Sequence, residues 1–218
     1  MTTADDRAAA FLTAITYLRI ALTPVVMALV IADTDPSWAR PVAALIFAFA
    51  AVTDFFDGRL ARRWKQTSAL GSFLDTTADK LLVSGVLIAL VDVGRASVWV
   101  AFIIIGRELL IMGLRGVISA SDGTVMSPSI WGKLKANVQF LAILLAIWWP
   151  AVEIGGVAIA TIALWIAAAV TVGSAVEYLA RFREVLQDAA QQHDIGLDGR
   201  HTLVDREVEA QAFGAELP

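Results

Sequence analysis

The sequence predicts an all-α, polytopic membrane protein with six transmembrane helices. Hydrophobic residues make up 58% of the 218-residue chain and charged residues 17%, whereas soluble domains average about 45–50% and about 25%. The mean hydropathy is +0.70. Six apolar runs are each close to the roughly 20 residues that a helix needs to cross a bilayer; they occupy residues 15–32, 38–60, 69–92, 96–120, 131–149 and 152–180.

Turn-forming or charged residues separate these runs. The first run follows an acidic N-terminus (Asp5, Asp6) and contains Arg19, so it does not resemble a cleavable signal and is expected to remain as a helix. Asp, Gly, Pro and clustered charges then end each run in turn; in chain order these breaks are residues 33–36, 63–68, 92–95, 119–128 and 150–156.

The distribution of charge predicts the orientation and the domain organisation. The loops before the second, fourth and sixth predicted helices lie on one side of the membrane. Of 17 Lys and Arg residues, only Arg40 and Arg95 lie on that side. Because cytoplasmic loops carry the excess of cations, both termini are expected in the cytoplasm. Residues 1–183 form the predicted membrane domain, and residues 184–218, with eight Asp or Glu against two Arg, form an acidic cytoplasmic tail. The acidic overall balance disfavours a nucleic-acid partner, and the absence of cysteine excludes thiolate chemistry.

The second and third predicted helices carry four aspartates within 26 residues. At about 100° per residue, Asp54 and Asp57 share one face of the second helix, and Asp75 and Asp79 share one face of the third. The short connection predicts that these helices are antiparallel neighbours, so that their acidic faces meet. Small residues lie beside the aspartates on the same faces and leave space for a bulky substrate; they are Gly58, Ala61 and Gly71.

Four carboxylates at membrane depth need cations. Part of this negative charge can be neutralised by Arg59, Arg62 and Lys80. Hard divalent cations prefer oxygen ligands, so two Mg²⁺ or Mn²⁺ ions are the predicted cofactors. A solvated helix end with surface acids explains neither the shared faces nor the interposed small residues. A cation transporter is the alternative from another class, but it predicts acidic residues throughout the membrane depth.

The aspartate segment resembles the CDP-alcohol phosphotransferase family, whose motif is D-x2-D-G-x2-A-R-x8-G-x3-D-x3-D. The chain matches every fixed position, at Asp54, Asp57, Gly58, Ala61, Arg62, Gly71, Asp75 and Asp79. The resemblance implies a six-helix bundle in the inner (plasma) membrane, usually a homodimer, with its active site open to the cytoplasm. It also implies that Asp54, Asp57 and Asp75 hold the metals with a contribution from Asp79, which is the general base. Gly58, Ala61, Arg62 and Gly71 are then expected around the CDP group.

The resemblance implies transfer of a phosphatidyl group from CDP-diacylglycerol to an alcohol, with release of CMP. Four cations in the fourth and fifth helices predict a cationic pocket, which a phosphorylated acceptor would need; they are Arg107, Arg115, Lys133 and Lys135. Their pattern, R-E-x6-R then G-K-x-K, resembles the bacterial phosphatidylglycerophosphate synthase subgroup, which uses sn-glycerol 3-phosphate. Departures at Ala10, Thr76 and Ala136 leave two other subgroups open: cardiolipin synthases, which use phosphatidylglycerol, and phosphatidylinositol-phosphate synthases.

Overall fold

The computed structural model describes most of the chain before residue 184. The backbone is described for residues 3–32, 38–64, 69–120, 130–149 and 152–183, and the side chains for residues 13–32, 38–53, 71, 73–116, 134–149 and 152–183. The predicted acidic tail, residues 184–218, lies outside the described residues. By its contacts the chain divides into two compact units, Met1–Ser174 and Ala175–Pro218.

The described residues form six helices, which confirms the predicted all-α class. The helices are α1 (Thr3–Ile31), α2 (Ala39–Trp64), α3 (Ala69–Asp92), α4 (Val98–Ala120), α5 (Ile130–Trp148) and α6 (Ile159–Arg183). A two-residue hairpin, β1 (Glu153–Ile154) and β2 (Val157–Ala158), precedes α6.

Two of these boundaries differ from the sequence prediction. The first helix begins at Thr3 instead of residue 15. The last helix was expected from residue 152, but the chain first makes the antiparallel hairpin, in which Ile154 pairs with Val157. Gly155 and Gly156 adopt φ values of 61° and 81°. Positive φ at both turn positions is the signature of a tight hairpin turn, which two consecutive glycines form without steric cost.

The core lies where α1 packs against α2 and α3, and where α2 and α3 pack against α5. Phe47 of α2 stacks on Phe140 of α5, with ring centroids 5.1 Å apart. Gly85 of α3 permits a close approach to α1, because a Cβ added there would lie 2.8 Å from Met27 Sδ and 2.9 Å from Thr23 Cγ2. The first helix therefore contacts both helices that carry the aspartates.

Two helices within the described residues are long and apolar enough to cross a membrane, over Thr13–Ile31 and Ile159–Arg183. Shorter apolar stretches cover Ala39–Thr53 and Leu134–Trp148. Charged residues interrupt the apolar runs of α3 and α4, among them Asp79 and Glu108. These interruptions contain the site described next.

In the second unit, the last turns of α6 carry an ion pair between Arg181 Nη2 and Glu177 Oε1, 2.5 Å apart. The two residues are spaced i, i+4, so they lie on one face of the helix.

Candidate active site

A buried polar stripe on α1 supports Asp75 of α3. Thr16, Arg19 and Thr23 lie on one face of α1 and are all buried, and Thr23 Oγ1 donates a hydrogen bond to the Arg19 carbonyl over 3.0 Å. Arg19 Nη1 donates to Asp75 Oδ1 over 3.1 Å. Its Nε donates to the carbonyl of Ala50 on α2 over 3.3 Å. One guanidinium thus connects α1 with both α2 and α3.

The Arg19–Asp75 pair is asymmetric in its exposure. Arg19 is 1% exposed, whereas the Asp75 side chain is 38% exposed. Ala50, which accepts the second bond from Arg19, lies one helical turn before Asp54 in α2. Arg19 is therefore held inside the bundle beside the start of the aspartate motif, while the Asp75 carboxylate remains accessible.

Asp79 lies one turn beyond Asp75 on the same face of α3. Its Oδ2 accepts a hydrogen bond from Lys80 Nζ over 2.7 Å. Lys80 Nζ also lies 2.9 Å from Glu108 Oε2 on α4. The ammonium group of Lys80 therefore bridges two carboxylates, one at the accessible face and one in the interior. This confirms the expectation that Lys80 neutralises part of the negative charge of the aspartates.

Glu108 is a meeting point of three helices. Its Oε1 accepts a hydrogen bond from Lys135 Nζ of α5 and lies 3.5 Å from Arg107 Nη1. Arg107 Nη2 in turn donates to Ser174 Oγ of α6 over 2.7 Å. Glu108 and Lys135 are both buried. We call the set formed by Lys80, Arg107, Glu108 and Lys135 the cation cluster.

The cation cluster carries more positive than negative charge. Lys80, Arg107 and Lys135 supply three positive charges around the single carboxylate of Glu108. When Asp79 is counted with Lys80, the basic groups among the described side chains still outnumber the carboxylates by one. Charged groups away from water need partners of opposite charge, so the cluster is suited to bind an anion.

The structure links three of the predicted site residues, Asp79, Arg107 and Lys135, through Lys80 and Glu108. Asp75 lies one turn before Asp79 on α3 and pairs separately with Arg19. Arg115 lies exposed on α4, about 12 Å along the helix from Arg107 at 1.5 Å per residue. Gly71 is half-buried in the first turn of α3. The other predicted residues lie within helices, but their side chains are outside the described part of the chain; they are Asp54, Asp57, Gly58, Ala61 and Arg62 on α2, and Lys133 on α5.

Sequence reasoning missed two contributions to this site. Arg19 and Glu108 are not among the predicted site residues. Both are charged residues inside apolar runs, and such residues are rare unless paired or functional. That signal is present for Arg19 near the start of the first run, although the sequence does not reveal that it pairs with Asp75.

The residues present fit a divalent-cation site. Among the described side chains, no group of three or more His, Cys, Asp or Glu lies close enough to hold a metal ion. Asp75 and Asp79 nevertheless provide hard oxygen donors one turn apart, each more than a third exposed. Their described hydrogen bonds use Oδ1 of Asp75 and Oδ2 of Asp79, so one oxygen of each carboxylate has no partner within the described set.

A comparison with family models decides the family. The model for CDP-alcohol phosphatidyltransferases matches residues 12–173. The chain belongs to the CDP-alcohol phosphatidyltransferase family. The matched region contains every charged residue of the candidate site described above, and the match confirms the resemblance predicted from the aspartate spacing.

Relatives in the CDP-alcohol phosphatidyltransferase family share much of the chain. It is 42% identical over 173 residues to a CDP-diacylglycerol--glycerol-3-phosphate 3-phosphatidyltransferase of Pectobacterium atrosepticum, covering 77% of this chain and 91% of the relative. It is 38% identical over 186 residues to the Bacillus subtilis protein of that name, covering 79% and 95%. For the Escherichia coli protein the identity is 39% over 158 residues, covering 70% and 84%. The chain is therefore an enzyme of the phosphatidyltransferase class, as predicted.

Proposed function

We propose that this enzyme transfers a phosphatidyl group from CDP-diacylglycerol to sn-glycerol 3-phosphate, giving phosphatidylglycerophosphate and CMP. The family supports the class of reaction, and the names of the relatives supply both substrates. The observation that carries the choice of acceptor is the cation cluster. Its basic groups outnumber its carboxylates among the described side chains, and an acceptor's phosphate at Arg107 and Lys135 would complement them.

The cation cluster favours a phosphorylated acceptor over a neutral alcohol. Arg107 offers a planar guanidinium that can bind phosphate through two bonds, and Lys135 offers a point charge. A neutral acceptor such as serine or free glycerol would leave the excess charge unbalanced. Arg115 and Lys133 are proposed to extend the same phosphate site towards the cytoplasm.

The proposed reaction is a direct displacement at phosphorus. The acceptor hydroxyl oxygen forms a bond to the phosphatidyl phosphorus, the bond from that phosphorus to the CMP oxygen breaks, and CMP leaves with the electron pair. Asp79, which is 37% exposed beside the cation cluster, accepts the hydroxyl proton as general base. Because Lys80 occupies Oδ2 of Asp79, Oδ1 is the oxygen that accepts the proton.

The remaining predicted residues are assigned to the donor. We propose that Asp54, Asp57, Asp75 and Asp79 hold two Mg²⁺ or Mn²⁺ ions, with Gly58, Ala61, Arg62 and Gly71 around the CDP group. Metals held there would neutralise the pyrophosphate charge and stabilise the departing CMP. Arg19 orients Asp75 for this role from inside the bundle.

We also propose that all six helices cross the inner membrane, with the site and both termini in the cytoplasm and a homodimer as the functional assembly. Large apolar side chains are more than half exposed on α2, α3, α4 and α5, as a lipid-facing surface requires; examples are Leu45, Phe49, Ile88, Phe102 and Leu141. Their presence on the helices with charged interruptions supports more spans than the two that are long and apolar enough by length and composition.

The acceptor site is tested by Arg107→Ala and Lys135→Ala. A lost charge-assisted contact is worth about 1.5–3 kcal/mol, so the KM for glycerol 3-phosphate should rise roughly ten- to a hundredfold, with a much smaller change in the KM for CDP-diacylglycerol. Steady-state CMP release in detergent micelles measures both constants. Arg181→Ala, which removes an exposed cation from the ion pair in the second unit, is the matched control. Equal rises in both KM values would contradict an acceptor role.

A further inference from the structure

Lys80 and Glu108 connect the proposed base with the proposed acceptor cations, and neither residue is assigned a direct contact with a substrate. Lys80 Nζ is 2.7 Å from Asp79 Oδ2 and 2.9 Å from Glu108 Oε2. The other oxygen of Glu108 contacts Lys135 and Arg107. A continuous series of charged contacts thus runs from Asp79 to the two acceptor cations across three helices.

The energetics of this series favour a fixed geometry. Glu108 is 3% exposed, so its carboxylate depends on its cationic partners for solvation, and those cations depend on it. Charged groups in a low-dielectric interior that contact each other in series act as a unit, and removal of one member disturbs the others. The side chains of Lys135 and Lys80, which are otherwise flexible, are therefore held in place by two different oxygens of one carboxylate.

We propose that Glu108 and Lys80 form a positioning bridge, which sets the distance between the acceptor phosphate at Arg107 and Lys135 and the acceptor hydroxyl at Asp79. This inference rests on the proposed function, since it assumes an acceptor that carries both groups. Neither residue contacts the reacting atoms. The bridge selects acceptors in which the hydroxyl and the phosphate are separated by a few bonds, because the two recognition sites cannot move apart independently.

A bridge predicts non-additive effects of substitution. Lys80→Met and Glu108→Gln should each lower kcat/KM for glycerol 3-phosphate about ten- to a hundredfold. The loss in Lys80→Met should fall mainly on kcat, because Lys80 contacts Asp79 directly. The double variant should be no worse than the more damaged single variant, because either change already breaks the series. Glu108→Asp retains the charge but shortens the side chain by one methylene. Its kcat should therefore stay below that of the wild type, as in Glu108→Gln.

The experiment is a double-mutant cycle on the full chain in detergent micelles, with Glu177→Gln, Arg181→Gln and their double variant as the matched control pair. Thermal unfolding midpoints and binding of inorganic phosphate are measured for each variant, so that loss of fold is separated from loss of coupling. Multiplicative losses in the double variant, full rescue by Glu108→Asp, or unchanged kcat/KM in folded single variants would overturn the bridge. The acceptor that the wild-type protein uses is identified first, and the double-mutant cycle is then measured with that acceptor. Failure of glycerol 3-phosphate as an acceptor therefore counts against the proposed function alone.

Discussion

The Arg19–Asp75 pair predicts that its two single substitutions have unequal effects on stability. Asp75→Asn removes the negative charge that the guanidinium of Arg19, 1% exposed, contacts on α3. Breaking a fully buried pair costs about 3–5 kcal/mol, but this pair is only half-buried because the Asp75 side chain is 38% exposed. Because Arg19 keeps its bond to the Ala50 carbonyl and the asparagine oxygen can still accept a bond, we expect the lower end, about 3 kcal/mol.

Arg19→Met should cost less. It removes the buried charge itself and leaves the Asp75 carboxylate, which is 38% exposed and therefore solvated. Methionine retains the length of the aliphatic stem, so packing against α2 and α3 is largely kept. We expect a loss of about 1 kcal/mol, and the double variant should regain most of the stability lost in Asp75→Asn.

Thermal unfolding in detergent, followed by circular dichroism, measures this difference. For a chain of this size about 1 kcal/mol corresponds to about 2–4 °C, so Asp75→Asn should lower the midpoint by about 6–12 °C and Arg19→Met by about 2–4 °C. Excess EDTA is present throughout, which removes any contribution from metal binding at Asp75. A midpoint for Asp75→Asn within about 2 °C of wild type, or a larger loss in Arg19→Met than in Asp75→Asn, would refute the reasoning.

Three further predictions concern helix packing, the metal cofactor and the metal ligands. Gly85→Ala should destabilise the protein by about 1–3 kcal/mol, since its Cβ would clash with Thr23 Cγ2. The control is Gly113→Ala, whose added Cβ meets nothing within 4 Å and which should keep or raise the unfolding midpoint. Equal midpoints for the two variants would be inconsistent with close packing at Gly85. Excess EDTA should abolish CMP release and Mg²⁺ or Mn²⁺ should restore it, whereas full turnover without metal would exclude the proposed cofactor. Asp79→Asn should bind Mn²⁺ but lose turnover, and Asp75→Asn should bind Mn²⁺ more weakly in a calorimetric titration.

The sequence was sufficient to predict six helices and the family, because both depend on local patterns. Apolar runs of near-membrane length fix the existence of each helix, and the aspartates mark the motif by spacing alone. The helix boundaries were less predictable. The hydropathy of residues 152–158 is compatible with a helix, but Gly155 and Gly156 adopt positive φ and form a hairpin instead.

The contacts between helices could not be predicted, since they depend on which helices pack together. The short α2–α3 connection predicts that the aspartate faces of α2 and α3 contact each other directly. In the described part of the chain α1 packs against both helices, and Arg19 of α1 forms hydrogen bonds to each of them. The same holds for Glu108. Its neighbour Arg107 was visible in the sequence, but the convergence of Lys80 and Lys135 on its carboxylate requires α3, α4 and α5 to meet.

The central claim, phosphatidyl transfer to glycerol 3-phosphate, is tested most directly by CMP release from CDP-diacylglycerol with single acceptors. Purified full-length protein in micelles with Mg²⁺ is given glycerol 3-phosphate, inositol 1-phosphate, phosphatidylglycerol or serine separately. We expect CMP release and a phosphatidylglycerophosphate product with glycerol 3-phosphate, and at most background release with the other three. Release with phosphatidylglycerol alone, or with inositol 1-phosphate alone, would contradict the proposed acceptor and move the chain to another subgroup of its family.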